Sequence, residues 1–376
     1  MPLSRRGMGF SRVVMAGAVA LLCGRAVIAQ KPAPKADQKP DAAAQAQAAA
    51  QQQEIQTAVR LADAAMSGQP AAADFPIQLQ TDFLRAQGTR VWVPLTMTID
   101  SSKLSTGAVT LYLRVTPRGM TAPPAPAAPA PADKNAKDNK KDKKNDAKAP
   151  AAAPAGPNYP YEDVALLDLK PAAPGQPVRI LRGIGVPSGS YDLYIVLHER
   201  GAAAGKSSVL KQPLDVPSYS NGEFTTSTVI LAERVDQLSA PIPPEQQSER
   251  PYAFGSTEII LSPDHKFKKS QELIVLLQIY NPMVSPEKKF NLEATYTFYR
   301  QEAGAEKRFN STEPQTFTSE NVGGAGFDPA GNAAIQAGQG IPLQSFPEGA
   351  YRLEIKITDK LSTKAVTQNV NFTVTP

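Results

Sequence analysis

Gly201-Ala202-Ala203-Ala204-Gly205-Lys206-Ser207 has the residue types of a phosphate loop: glycines for close backbone approach, then a lysine and a hydroxyl for the phosphates. It is one residue short between the glycines. It also falls between two strand-like runs, where no helix N-terminus offers converging amides. Its setting is that of a hairpin loop. Two histidines follow the leader, His198 and His265. A hydrolytic triad needs one of them beside a nucleophile and an acid. His198 ends an alternating run, on the outward phase with Asp192, Tyr194 and Val196, and His265 lies in the turn Pro263-Asp264-His265-Lys266. Neither is flanked by a nucleophile elbow, so both read as surface histidines. Zinc would need carboxylates to complete its ligand set. Asp328-Pro329-Ala330-Gly331-Asn332 lacks the alternating acids and closing Glu of a calcium loop and reads as a turn. No acid stands in a setting distinctive of paired-carboxylate glycoside hydrolysis. No cofactor, metal or catalytic residue is expected.

Aromatic residues offer binding rather than reaction chemistry. Trp92 opposes the apolar stripe of its strand, and Tyr299 points away from Tyr296 and Phe298. Each is a candidate platform for a sugar ring or a partner. The competing reading is that a strand, a helix or a neighbouring domain covers them, which is usual where both faces of a strand are apolar, as on Leu273–Tyr280. A lysine-rich run around Lys140-Lys141-Asp142-Lys143-Lys144 has seven Lys against four Asp over residues 121–158, the composition of a solvated spacer. Asn310-Ser311-Thr312 fits a glycosylation acceptor, a triplet common by chance.

The N-terminus reads as an export signal over residues 1–29. Arg5, Arg6 and Arg12 precede an apolar run, Val13 to Leu22, too short to span a bilayer, and Val27-Ile28-Ala29 forms a cleavage site before Gln30. Ser4-Arg5-Arg6 is a faint twin-arginine feature, and Leu22 before Cys23 departs from a lipoprotein signal. Cys23 is the single cysteine, so the exported chain would be held by its cores without disulfides. Without the leader's four arginines, 36 basic residues face 35 acidic ones, a balance that does not indicate nucleic-acid binding. No later stretch is apolar enough to span a membrane.

Residues 30–52, rich in Ala, Gln and Pro, have a disordered composition. Ile55, Val59, Ala62 and Met66 predict a short helix over 53–67, ended by Gly68 and Pro70 and docked on the first globular unit. Alternation at Val91–Ile99 and Val109–Val115 predicts strands, interrupted by the insert at 119–158 and resumed at Val164 and Val178. A long insert costs little, because closure entropy grows only logarithmically. The architecture follows from a repeat. Val186-Pro187-Ser188-Gly189-Ser190-Tyr191-Asp192-Leu193-Tyr194-Ile195-Val196-Leu197 aligns without gaps with Phe346-Pro347-Glu348-Gly349-Ala350-Tyr351-Arg352-Leu353-Glu354-Ile355-Lys356-Ile357, 160 positions later. That period indicates two copies of one domain. The expected fold is all-β: two tandem antiparallel sandwiches, at 75–235 and 252–376, with a Pro-rich linker at 236–251 and a Gly-rich loop region between Arg300 and Phe346.

At the Pro-x-Gly-x-Tyr repeat the chain resembles immunoglobulin-like and fibronectin III-like sandwiches, in which a tyrosine early in a late core strand bonds back to the preceding turn. The resemblance assigns that role to Tyr191 and Tyr351 and turns Leu193, Leu353, Ile195 and Ile355 inward. More loosely, the runs Gly189–Ala232 and Tyr252–Pro282 are similar to tail modules of secreted bacterial von Willebrand A-related proteins, although the Asp-x-Ser-x-Ser metal motif of the von Willebrand A domain is absent. The resemblance implies a fold and an exported location, not an activity. The leading expectation is a non-catalytic exported module of a bacterial cell envelope or extracellular space, with an envelope protein or polysaccharide as partner. The alternatives are a glycan-binding accessory module using Trp92 or Tyr299, and a hydrolase assembled in the Gly-rich loops of the second copy.

Overall fold

The computed structural model describes residues 42–86, 88–121, 158–169, 177–202, 205–262, 264–302, 304–322 and 333–376. The segment read as an export signal, most of the Ala/Gln/Pro-rich segment, the body of the lysine-rich insert and the segment read as a turn at Asp328 lie outside them.

The first sandwich is built from β1 (Ile77–Thr81), β2 (Leu84–Arg85), β3 (Arg90–Ile99), β4 (Ala108–Pro117), β5 (Tyr161–Asp168), β6 (Val178–Pro187), β7 (Gly189–Glu199) and β8 (Ser207–Val216). One sheet pairs β3 with β6 on one side and with β1 and β2 on the other; the second has the order β5-β4-β7-β8. The second sandwich is built from β9 (Thr225–Thr226), β10 (Ile230–Gln237), β11 (Ala253–Phe254), β12 (Thr257–Leu261), β13 (Lys266–Lys268), β14 (Glu272–Tyr280), β15 (Asn291–Glu302), β16 (Ala305–Ser311), β17 (Gln315–Thr318), β18 (Ile335–Pro342), β19 (Gly349–Asp359) and β20 (Ala365–Thr375). Here β14 lies between β18 and the pair β9/β10, and the facing sheet runs β16-β15-β19-β20. Strand for strand the two orders coincide: β3, β4, β5, β6, β7 and β8 correspond to β14, β15, β16, β18, β19 and β20. In both copies the first strand is broken in two. The repeat is therefore a repeat of topology as well as of sequence.

Alternation places the cores where the sequence predicts. Val91, Val93, Leu95, Met97, Val109, Leu111, Leu113, Leu193, Ile195 and Leu197 fill the first; Leu273, Val275, Leu277, Tyr296, Phe298, Leu353, Ile355 and Ile357 fill the second. The corner tyrosines differ. Tyr351 is 1% exposed and its hydroxyl donates to Pro347 O at 2.7 Å. Tyr191 is only half-buried and its bond to Ser188 O is 3.5 Å long.

Four sequence expectations change. The strand expected to close the first sandwich, within 226–235, is β10, and it pairs with β12 and β14 of the second. The second copy thus begins near Thr225, not at 252. The segment 236–251 is not a linker; it belongs to an insertion between β10 and β14 that includes β11, β12 and β13. The region from Arg300 to Phe346 holds three strands. One of its glycines lies close to a neighbour: a side chain at Gly340 would run into the Glu272 carboxylate on β14. Glycine weakens the strand signal while allowing close approach. Finally, α1 spans Ala42–Met66, so part of the segment read as disordered is helical. Ala and Gln are strong helix formers, and a docked C-terminal half removes the nucleation cost for the rest.

Both outer faces of the first sandwich are covered. Helix α1 lies across β4, β7 and β8, with Ala58, Ala62, Ala65 and Met66 against Tyr112, Val196 and Tyr194. Small side chains let the helix approach the sheet closely. Arg114, 3% exposed, lies beneath it, paired with Asp63 of the helix and Glu162 of β5, with Tyr159 4.4 Å from the guanidinium. The insertion of the second copy covers the opposite face. This is why β3, β4 and β7 are buried on both sides.

Candidate functional site

The seam between the copies accounts for Trp92. Its ring packs over Gly183, where any side chain would collide with it, and Nε1 donates to Pro251 O at 2.9 Å. Around it Leu84, Ile230 and Tyr252 are buried, and the half-buried Leu181, Phe254, Ile259, Leu261 and Leu276 pack against them. Tyr252 donates to Asp82 Oδ2 at 2.5 Å, Gly183 N donates to Ser248 O at 2.7 Å, and Arg85 N donates to Tyr280 OH at 2.8 Å. The Arg85 guanidinium lies 4.4 Å over the Tyr280 ring, which packs on Tyr219. Burial pushes the Asp82 carboxyl above its usual range. Trp92 is therefore a joint between domains. Tyr299 lies on the outer face of the β15/β19 sheet with the Arg352 guanidinium 4.2 Å over its ring. Both rings are half-buried, Trp92 against the seam and Tyr299 with one face under the Arg352 guanidinium.

His198 Nδ1 lies 2.8 Å from Ser207 Oγ, and its Nε2 lies 3.1 Å from Glu54 Oε2. The residue types of a hydrolytic triad meet here. Ser207, however, is buried in β8, and Glu54 belongs to α1, so the cluster ties the helix to the sheet. His265 is half-buried in its loop, with Nδ1 3.1 Å from Asn371 O. Gly201 and Gly205 belong to the β7–β8 loop. His198 meets the glycine-lysine-serine run at Ser207, whereas His265 lies apart from it in another loop, and the described residues contain no group of three or more His, Cys, Asp and Glu able to hold a metal ion.

Two acids missed at the sequence level organise the loops at one end of each copy. Glu199 and Asp359 close β7 and β19, 160 positions apart like the rest of the repeat. Both fall on the inward phase of their strands and both are buried. Glu199 Oε1 accepts from the amides of Ser105 and Thr106, the latter at 2.7 Å, binding the β3–β4 loop to the β7–β8 loop. Asp359 Oδ2 accepts from Met283 N and Ser362 Oγ, each at 2.7 Å, and Oδ1 accepts from Leu361 N at 3.0 Å. It binds the β14–β15 loop to the β19–β20 loop. The available signal was an acid where alternation called for an apolar side chain.

Burial alone would raise the Glu199 carboxyl, but the amides of Thr106, Ser105 and Lys206 outweigh it and hold the group below the usual carboxylate range. A depressed folded value stabilises above the unfolded value, about pH 4.3, and that stability is lost as pH falls through the folded value. Melting temperature should therefore fall on acidification below about pH 4, and Glu199→Gln should fall less steeply than the parent. Parallel slopes in a thermal-melt series would contradict this assignment.

At the Asp359 end of the second sandwich, the loops at 281–291, 318–322 and 359–365 surround a shallow cleft of about 340 Å³. Phe290 N donates to Ser319 Oγ at 3.0 Å, and Lys360 N donates to Asn291 O at 2.8 Å, so the three segments are stitched together. This is the candidate binding end of the chain.

No protein-family model and no curated protein matches the sequence. Among solved structures, the chain is similar to Escherichia coli alpha-2-macroglobulin activated by porcine elastase, at 10% identity and a TM-score of 0.21. The match covers 80% of this chain and 22% of that one. A likeness at that level carries no functional argument. The chain's own topology establishes the immunoglobulin-like β-sandwich; the likeness to tail modules of von Willebrand A-related proteins gains no support from the comparisons. Among the described residues, no helix is long and apolar enough to cross a membrane.

Proposed function

We propose that the protein is an exported, non-catalytic module of a bacterial cell envelope or extracellular space, which holds two immunoglobulin-like sandwiches as one body and offers a loop end to a partner. The observation that carries this reading is the seam. Trp92, Tyr252 and Arg85 are committed to joining the copies, and His198, Ser207 and Glu54 to holding α1 on the sheet. Side chains of the kind that bind or react elsewhere serve here to fix geometry. Buried aromatic and charged ties of this sort favour a fixed arrangement over freely hinged beads. The finer likeness to secreted tail modules fits such a role, and so does a cysteine-free chain behind an export signal.

The full chain, expressed in a bacterium with its leader intact, is expected in the periplasm or medium with an N-terminus at Gln30. Cell fractionation with N-terminal sequencing checks this. An uncleaved chain retained in the cytoplasm would overturn the location. Turnover on a hydrolase panel, abolished by one acidic substitution, would overturn the non-catalytic role.

A further inference from the structure

The cleft at the Asp359 end of the second sandwich has the features of a docking site for a short peptide segment; this deepens the binding-module reading and rests on it. Met283 and Leu361 are 52% and 41% exposed, two of the three large apolar side chains that stand out to this degree among the described residues. Solitary exposed apolar residues are ordinary. These two are instead held from a single buried carboxylate, because Asp359 accepts from both of their amides. Between the loops lies the cleft, lined by Leu361, the buried Phe290 and six polar residues that include the paired Lys289 and Glu320.

The backbone is specialised at the same place. Four described non-glycine residues have positive φ, and three of them are here: Asn281 at 54°, Lys288 at 58° and Thr363 at 59°. For a β-branched residue such as Thr363 that conformation is sterically costly, and costly backbone persists where the surroundings impose it. The first copy supplies the contrast. Glu199 ties the corresponding loops there, yet those loops carry Ser101, Ser102, Lys103, Ser105 and Thr106 and no strongly exposed large apolar side chain among the described residues. The same scaffold is surfaced differently in the two copies.

Charge indicates the occupant. Four lysines stand on these loops. Lys289 meets Glu320 at 3.6 Å and Lys360 meets Glu293 at 2.7 Å, whereas Lys288 and Lys364 have no acidic partner among the described residues. We infer that this end binds an extended segment of another protein in which an aliphatic or aromatic side chain neighbours a carboxylate. The apolar group enters the cleft beside Leu361, with Met283 on the adjoining loop, and the acid meets Lys288 or Lys364 on the loops that border it. The cleft is at the small end of ligand sites and accommodates one or two side chains. It is far smaller than the roughly 800 Å² per partner of a standard protein interface. A short segment with a Kd on the order of micromolar is the expectation.

The test pans the full chain against a displayed library of random dodecapeptides and titrates recovered peptides by fluorescence anisotropy. Recovered sequences should share an apolar residue beside Asp or Glu. Leu361→Asp and Met283→Asp should each weaken binding about thirtyfold, the effect of losing a central apolar anchor. Because both residues are exposed, these variants should melt like the parent. Lys288→Glu combined with Lys364→Glu should weaken binding about tenfold and flatten its salt dependence. Tyr299→Ala, on a different face, should change nothing. Failure to recover peptides, peptides without the acid, or binding unaltered by Leu361→Asp would overturn the inference. Leu361-dependent binding to a glycan array with no peptide recovered would assign the cleft to sugars and overturn it equally. If the chain is exported and cleaved while panning fails, the docking inference falls and the module reading remains.

Discussion

Tyr351→Ala is expected to destabilise the second sandwich by about 4 kcal/mol, the cost of truncating a fully buried aromatic ring. The ring stacks on Phe372 at 5.3 Å and meets Phe346 and Phe309 edge-on at 5.4 and 5.6 Å. Removing it leaves a cavity in an aromatic cluster that is tied through Phe346 to Phe298. Tyr351→Phe should cost about 1 kcal/mol, the net value of one hydrogen bond, here the one to Pro347 O. Tyr191→Ala should cost only about 1 kcal/mol, because its ring is half-buried and its bond is 3.5 Å long. Chemical denaturation of the three variants checks the order. Equal losses at Tyr191 and Tyr351 would show that the corner contributes alike in both copies, against the geometry.

Trp92→Ala is the second large effect, about 3 kcal/mol, and it should change the form of unfolding as well as its midpoint. The indole fills the space over Gly183 and bonds Pro251, so its loss opens the seam from both sides. The parent should unfold in one transition, because each copy buries surface of the other. The variant should separate into two, with the first sandwich melting earlier, since one face of its β3/β6 sheet loses its cover. Gly183→Ala is an independent route to the same outcome, because the added methyl displaces the indole. Calorimetry resolves the two cases. A single transition in both variants would mean that the seam does not couple the copies.

What the sequence could reveal was set by local periodicity. Period-2 alternation on Val91–Ile99 or Leu353–Ile357 states which side chains face inward, and the cores follow it. The Pro-x-Gly-x-Tyr repeat revealed the duplication and the corner. Alternation does not state which strand pairs with which. Ile230–Gln237 therefore read as the end of the first copy when it begins the second, and Ala240-Pro241-Ile242-Pro243-Pro244 read as a linker when it lies within an insertion. The strand Ile335–Pro342 was obscured by Gly338 and Gly340, residues that propensity scores against a strand. Trp92 was legible as anomalous but not as a joint, because its covering segment lies about 159 positions away in sequence. Glu199 and Asp359 needed the repeat extended by two residues and an acid accepted on a core phase.

The central claim is that the two copies form one rigid body. After Cys23→Ser, nitroxide labels at Arg179→Cys in the first sandwich and Lys356→Cys in the second report their separation by pulsed electron spin resonance. The account predicts one narrow distance distribution, broadened by Trp92→Ala. A broad or multimodal distribution in the parent would contradict it.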